Sequence, residues 1–298
     1  MEYVLNIVIL VGLYVILSSS FNLIIGHGGL ISIAHPIFYA IGAYCSALLS
    51  INFHVPLVLS ILCGSVLAML VSAAVALPSL RISGDYLLIA SIGFQLGLLQ
   101  VVEQLDFTGG PGGIGNIPSL VDGPQRSLLF AGIVTAIAVI VVLLIRALMN
   151  GDYGRAVRAM RDDELAFSML GRRAMKIKLG IFAFGSGLAG LAGGLYAHYY
   201  QYVSPQQFGI LQSSMILTMV VVGGMSSTLG PVIGAGLLVI LPELIAFLNL
   251  PPSVMAPVQG ILFTGLVLVF MFVRPQGIVG ASTKRRSGLA EAGQGQGQ

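Results

Sequence analysis

Few residues in this sequence have types and spacing that could do chemistry. Gly110, Gly112 and Gly115 make a G-x-G-x-x-G run, the spacing that cradles a dinucleotide pyrophosphate. That use needs a strand before the glycines and a helix after them. Here the run contains Pro111 and lies between two apolar stretches, so it reads as a flexible or tightly turned external loop. No G-x-x-x-x-G-K-[ST] phosphate loop occurs, so the chain does not use ATP by itself. The four histidines are scattered, and no Ser/His/Asp, paired-carboxylate or metal-ligand constellation stands out. The sequence therefore assigns no catalytic residue, no cofactor and no metal. Cys45 and Cys63 both lie in apolar stretches and read as small packing residues.

Polar groups embedded in apolar sequence are the remaining candidates. "GHGGLISIAHP" interrupts an apolar run with Gly26, Gly28, Gly29 and Pro36. A helix broken inside a membrane is tolerated where it lines a cavity or is buried in protein. Its freed peptide groups can then bind a polar substrate. The other reading is a tight turn between two spans. Asn22, Gly28, His35 and Glu243 are the substrate-pathway candidates. For Asn22 and His35 the alternative is an interhelical hydrogen bond. For Glu243 it is a structural partner such as a Tyr or Arg. Glu103 and Asp106 read as solvated, and Asp85 as an acid at a helix N-terminus.

The elements that must position these groups are membrane helices. Only 8% of the 298 residues are charged and 56% are hydrophobic, against roughly 25% and 45–50% in a soluble domain. No Asp, Glu, Lys or Arg occurs between Tyr3 and Leu80, between Leu179 and Pro242, or between Leu244 and Val273. A span needs about 20 apolar residues. The predicted spans are Tyr3–Ile25, Ala34–Ile51, Pro56–Leu77, Tyr86–Val102, Ser127–Ile145, Leu179–Tyr199, Leu211–Val222, Pro231–Leu248 and Val254–Val273. The short seventh runs into Gly223 and Gly224 and reads as broken or re-entrant. Runs such as "AIAVIVVLLI" do not alternate, which excludes a strand barrel. Ser186, Gly190 and Gly194 make a small-residue packing seam, and Gly230 and Gly234 repeat its spacing. Tyr196, Tyr199, Tyr200 and Tyr202 read as interfacial anchors.

Of 14 Lys and Arg, eight lie from Arg146 to Lys178 and four from Arg274 to Arg286. Basic loops stay in the cytoplasm. Both clusters are therefore placed inside, the Leu105–Arg126 loop outside, and the N-terminus outside. The clustering argues for membrane orientation and against nucleic acid. The loop from Asn150 to Lys178 should hold an amphipathic helix. Its marks are Arg155, Arg158 and Arg161 on one face, an Arg158–Asp162 pair, an apolar stripe of Met160, Phe167 and Leu170, and Gly171 as terminator. The acids Asp162, Asp163 and Glu164 would be repelled by anionic lipid, which favours a protein-docking helix over one lying on the membrane. Residues 1–280 form one transmembrane domain containing this 150–178 loop, and 281–298 a disordered tail.

Four stretches then resemble the M-type (LivM-like) permease subunits of branched-chain amino acid ABC importers. They are "FNLIIGHGGLISIAHPIFYAIGAY"; "LRISGDYLLIASIGF" with "TGGPGGIGN"; "GRAVRAMRDDELAFSMLG"; and "VVVGGMSSTLGPVIGAGLLVILPEL" with "FVRPQGIVG". The resemblance implies an all-α polytopic membrane bundle of the type II-like importer class, with about eight to nine transmembrane helices and a cytoplasmic coupling helix. It implies one permease half of an ATP-driven importer that works by alternating access in a bacterial inner membrane. The implied partners are an H-type permease, two cytoplasmic ATPase subunits and a periplasmic substrate-binding protein. The Gly154–Gly171 segment would seat in the ATPase, through Arg155, Arg158, Arg161, Asp163, Glu164 and Gly171. The general importer signature is Glu-Ala-Ala, three residues, then Gly; here Glu164-Leu165-Ala166 is followed by Gly171, one residue later. The implied substrates are branched-chain amino acids; the same family carries urea, short amides and aromatic acids. A gradient-driven transporter would rely on ionisable groups within the membrane, and their scarcity favours an external motor.

Overall fold

The structure, a computed structural model, describes residues 2–79, 85–121, 123, 125–246, 265, 277 and 278. Ten helices account for most of them. They are α1 (Glu2–Asn22), α2 (His35–Asn52), α3 (Leu57–Ser79), α4 (Asp85–Gln104), α5 (Arg126–Asn150), α6 (Asp152–Asp162), α7 (Glu164–Met169), α8 (Ala174–Tyr200), α9 (Ile210–Gly223) and α10 (Gly230–Ala246). A π-helical turn, Leu23–His27, follows α1, and a 3₁₀ turn, Pro205–Phe208, leads into α9. No strand forms among the described residues beyond one isolated bridge between Ile114 and Val203.

Six segments are long and apolar enough to cross a membrane: Glu2–His27, Leu57–Leu77, Tyr86–Gln104, Arg126–Asn150, Ala174–Tyr200 and Pro205–Gly223. The 18-residue α2 lies between the first two of them, and the shorter apolar α10 follows the last. Eight of the nine expected spans therefore coincide with helices. The ninth, Val254–Val273, apart from residue 265, and the tail 281–298 lie outside the described residues.

The helices share two ends. At one end Asn6 of α1, Arg126 of α5 and Tyr199 of α8 are joined by hydrogen bonds. Ser46 of α2, Ser60 of α3 and His198 of α8 meet there too. At the other end, the Arg-rich end, α6 packs under the π turn and reaches the α9–α10 turn through Arg161, and α7 packs on α6 and α8. The path is an up-and-down bundle.

α8 is the central post, with α1 beside it. Its small residues let neighbouring backbones touch. A Cβ at Gly193 would fall 2.1 Å from the Tyr39 carbonyl oxygen, and one at Gly42 2.1 Å from that of Gly190, so α2 and α8 are in backbone contact. Toward α3 the seam runs through Gly187, Gly190 and Gly194, facing Met69, Ala68 and Ile61. The expected seam thus exists at Gly190 and Gly194, Gly187 joins it, and Ser186 is fully buried on the same helix. Gly234 and Gly223 give α9 and α10 the same close approach. By contrast α3, α4 and α5 turn large apolar residues outward, among them Leu70, Ile89 and Ile140, as lipid-facing helices do.

The loop between α4 and α5 is pinned to the α8–α9 linker. Ile114 and Val203 exchange backbone bonds of 2.8 and 2.9 Å. Tyr202 donates to the Gly112 carbonyl, and Gln206 to that of Pro111. His198, fully buried, donates from Nδ1 to the Pro118 carbonyl at 2.8 Å and accepts a Ser46 hydroxyl at Nε2, 2.8 Å away. The glycine run is a tight turn. Tyr196 and Tyr199 are half-buried and pack inward, on Tyr39 and Phe130, so only Tyr200 and Tyr202 are placed as surface anchors.

A candidate coupling junction at the Arg-rich end

The junction begins where α1 unwinds. Gly28 N–H reaches back to Leu23 O at 3.0 Å and Leu30 N–H to Ile24 O at 3.2 Å, longer loops than a regular helix closes. Glycines permit this path. Gly29 has φ +67, and a Cβ on Gly26 would meet the Asn22 side chain at 2.0 Å. The Gly26 carbonyl is left without a helical partner, and buried peptide groups must find one.

Two side chains supply it. Ser226 Oγ–H donates to the Gly26 carbonyl at 2.7 Å, and the Arg161 guanidinium donates both to that carbonyl and to Ser226 Oγ. Ser226 belongs to the α9–α10 turn and sits at φ +64. That turn is held to α1 a second time, by Asn22. Its Nδ2 donates to Ser227 O at 2.8 Å, and its Oδ1 accepts Ser226 N–H at 3.0 Å. Ile278 N–H adds a bond to Val222 O at 3.0 Å. Arg161 therefore ties α6 to two breaks in the apolar helices at once.

The rest of the loop is arranged around α6 and α7. Gly154, Val157 and Met160 are buried on one side of α6, and Met160 packs with Phe167 and Ala174. Asp163 stops α6 in an extended conformation and caps α7, its Oδ1 accepting Ala166 N–H at 2.9 Å. Gly171, at φ +75, ends α7 as expected, donating to Ser168 O at 3.0 Å. Arg158 does not pair with Asp162; it donates to the Met149 carbonyl at 2.8 Å, closing the C-terminal end of α5. In place of the expected i, i+4 pair the guanidinium takes a carbonyl at a helix C-terminus, an oriented acceptor with partial negative charge. Arg155 pairs with Asp152, both well exposed. Glu164 pairs with the buried Lys178 ammonium at 2.7 Å.

Of the expected coupling residues, Arg155, Arg158, Arg161, Asp163 and Glu164 thus use their side chains within the chain. The outward surface is different from the expected stripe. Leu170 is 81% exposed, and beside it are Leu165 at 76% and Met169 at 86%. Leu165 and Met169 were not singled out in the sequence. The signal was there: they are four apart on α7 and roughly opposite Phe167, whose burial fixes the inward side.

The pathway candidates separate into two places. Asn22, Gly28 and His35 cluster at the break. His35 is buried, its Nε2 is 2.9 Å from Ser20 Oγ, and its Nδ1 has no hydrogen-bond partner. A Cβ on Gly28 would meet Ile24 O at 2.6 Å. Glu243 accepts a hydrogen bond from Tyr3 OH. Tyr3 and Asn22 lie 19 residues apart on α1, about 28 Å at the rise of a helix. No cluster of His, Cys, Asp and Glu able to hold a metal occurs among the described residues.

Comparison with known proteins converges on one family. Residues 3–271 match the family described as the permease component of the branched-chain amino acid transport system. The chain is similar to the high-affinity branched-chain amino acid transport system permease protein LivM of Escherichia coli K12. The two are 31% identical over 92% of this chain and 69% of that one. With LivM of Salmonella typhimurium LT2 the identity is 33%, over 95% and 72%. The Escherichia coli K12 permease protein LivH is 26% identical over 94% of this chain and 95% of its own. No solved structure gives a significant match. A multi-pass membrane protein by its helices and a LivM-like chain by these comparisons, it belongs to the branched-chain amino acid transport permease family.

Proposed function

We propose that this chain is one transmembrane half of an ATP-driven importer that brings branched-chain or related hydrophobic amino acids into the cytoplasm by alternating access. The substrate class follows the names of the LivM relatives. The similarity to both LivM and LivH proteins supports a pairing with a second, homologous permease. Two ATPase subunits would dock at the Arg-rich end, which the positive-inside rule assigns to the cytoplasm of a bacterial inner membrane. A periplasmic binding protein would deliver substrate at the opposite end, where the pinned loop offers a firm surface. The chain itself would perform no catalysis.

The observation that carries this reading is Arg161. An importer motor must move membrane helices by pushing on an extramembrane element. Here α6 grips the two breaks, at Gly26 and Ser226, through one guanidinium. Next to it α7 presents Leu165, Met169 and Leu170 to solvent, and apolar anchors in a polar rim are what a docking surface uses. Arg155, Arg158, Arg161, Asp163, Glu164 and Gly171 act in coupling mainly by holding that surface rigid. Asn22, Gly28 and His35 lie where substrate would be released, and Glu243 near where it would be admitted.

The test starts with a mild-detergent pull-down of the chain from its native membrane. A second permease and two ATPases should accompany it. In the reconstituted assembly, Arg161→Met should leave ATP hydrolysis largely intact while leucine uptake falls about tenfold or more, the effect of losing two charge-assisted hydrogen bonds. Uptake per ATP unchanged by Arg161→Met would refute the coupling role, and recovery of the chain without ATPases would refute the importer.

A further inference from the structure

At the end of the bundle opposite Arg161, α1, α5 and α8 line an open pocket of about 400 Å³, formed by Asn6, Arg126, Ser127, Tyr199, Tyr200 and Gln201. That size falls within the range of small-ligand sites. Among the described residues Arg126 is the one Lys or Arg at this end; the others lie from Arg146 to Lys178. It makes no ion pair with any described acid. Its two protein acceptors are neutral: Nη2–H donates to the Tyr199 carbonyl at 2.7 Å and Nη1–H to Gln201 Oε1 at 3.2 Å. A guanidinium has five N–H donors, so the fork is held in place with donors to spare. Glu2, exposed at the start of α1, makes no ion pair with Arg126.

Two further features point to negative charge. Arg126 is the first residue of the 25-residue α5, and the cap residue Gln125 makes no side-chain cap bond. A helix N-terminus carries partial positive charge, so a cation placed there is unfavourable unless an anion joins it. Gln201 sits at φ +57, a conformation that costs a non-glycine residue energy. That residue ends α8, and its carbonyl accepts Ile117 N–H. The Ile117 bond holds Gln201 in that conformation, and its side-chain oxygen accepts from Arg126.

We propose that this pocket binds an oxyanion through the Arg126 guanidinium, with the hydroxyl and amide groups of Ser127 and Asn6 at its edge. Arg forks match carboxylate and phosphate oxygens in pairs. Two sources share this chemistry: the α-carboxylate of an arriving amino acid, which rests on the importer reading above, and the phosphate of an anionic phospholipid, which does not.

The experiment compares wild type, Arg126→Gln and Arg126→Lys in the purified assembly. Native mass spectrometry measures retention of phosphatidylglycerol against phosphatidylcholine, and proteoliposomes give kcat and KM for leucine uptake. A phosphatidylglycerol preference in wild type that Arg126→Gln abolishes supports the site with lipid as its source. No lipid preference, but a KM for leucine raised about tenfold or more in Arg126→Gln at unchanged kcat, supports the site with the carboxylate as its source. No change in either overturns it. If wild type takes up no leucine the importer reading fails, and the lipid comparison alone decides: a preference dependent on Arg126 supports the site, and its absence overturns it. If Arg126→Gln does not reach the membrane, Arg126→Lys carries both comparisons, since it keeps the charge and loses the fork.

Discussion

Reversing Glu164 and Lys178 separately and then together distinguishes a brace from a docking contact. Their carboxylate and ammonium are 2.7 Å apart, with the Lys178 side chain 10% and the Glu164 side chain 47% exposed. Coulomb's law at an effective dielectric of about 20 gives roughly 6 kcal/mol at that distance, an upper limit. The exposed carboxylate is screened by water, and half-exposed pairs retain a fraction of such figures. A charge-assisted hydrogen bond contributes about 1.5–3 kcal/mol net, so about 2 kcal/mol is the working value. Glu164→Lys removes that and sets two ammonium groups together at the joint between α7 and α8. We expect it to lower the midpoint of thermal unfolding in detergent, followed by size exclusion, and to lower uptake several-fold. The double reversal, Glu164→Lys with Lys178→Glu, rebuilds the pair in the opposite sense and should restore most of both. Uptake still lost in the double variant, with a normal unfolding midpoint and normal membrane level, would refute the brace and leave Glu164 acting on a partner directly.

Three other perturbations follow from the geometry. Gly193→Val drives a side chain into the Tyr39 backbone; overpacking of this kind costs about 1–3 kcal/mol or more, and the protein should unfold earlier in a detergent heat ramp. Asn22→Ala removes both bonds to the α9–α10 turn. With half-buried partners left unpaired it should cost about 1–2 kcal/mol, and cysteine-accessibility labelling at position 226 should rise; unchanged labelling would count against the clamp. Glu243→Gln keeps an acceptor for Tyr3 OH, so uptake should stay within about threefold of wild type across pH 5–8, the modest effect expected where one neutral hydrogen bond replaces a charged one. A large loss there would show that the carboxylate charge itself is used.

The spans were legible because lipid forces a simple rule: an uncharged stretch long enough to cross must be a helix. Charge-free runs from Tyr3 to Leu80 and from Leu179 to Pro242 left little else to choose. The break after Asn22 was legible from its glycines, and the end of α7 from Gly171. What each polar side chain bonds was not. Arg161 is 135 positions from Gly26, and its acceptor is a main-chain oxygen, which leaves no mark on residue type. Asn22 finds Ser226 and Ser227 across 204 and 205 positions. For Glu243 the sequence offered a pathway role or a structural partner such as a Tyr or Arg, and Tyr3 donates to it. The loop helix was foreseen as one continuous face, but Asp163 divides it, rotating Leu165 and Met169 outward.

The grip of Arg161 on a carbonyl has a consequence for how mutations distribute. A contact between two side chains can be lost, or restored, from either end. This one can be edited at position 161 alone, because every residue carries the same oxygen. From the membrane side it will surface in a mutational scan only as steric intolerance at Gly26, where any side chain collides with Asn22. Suppressors of Arg161 variants should therefore be sought not at residue 26 but among the residues around Ser226, where a new acceptor or donor can be built.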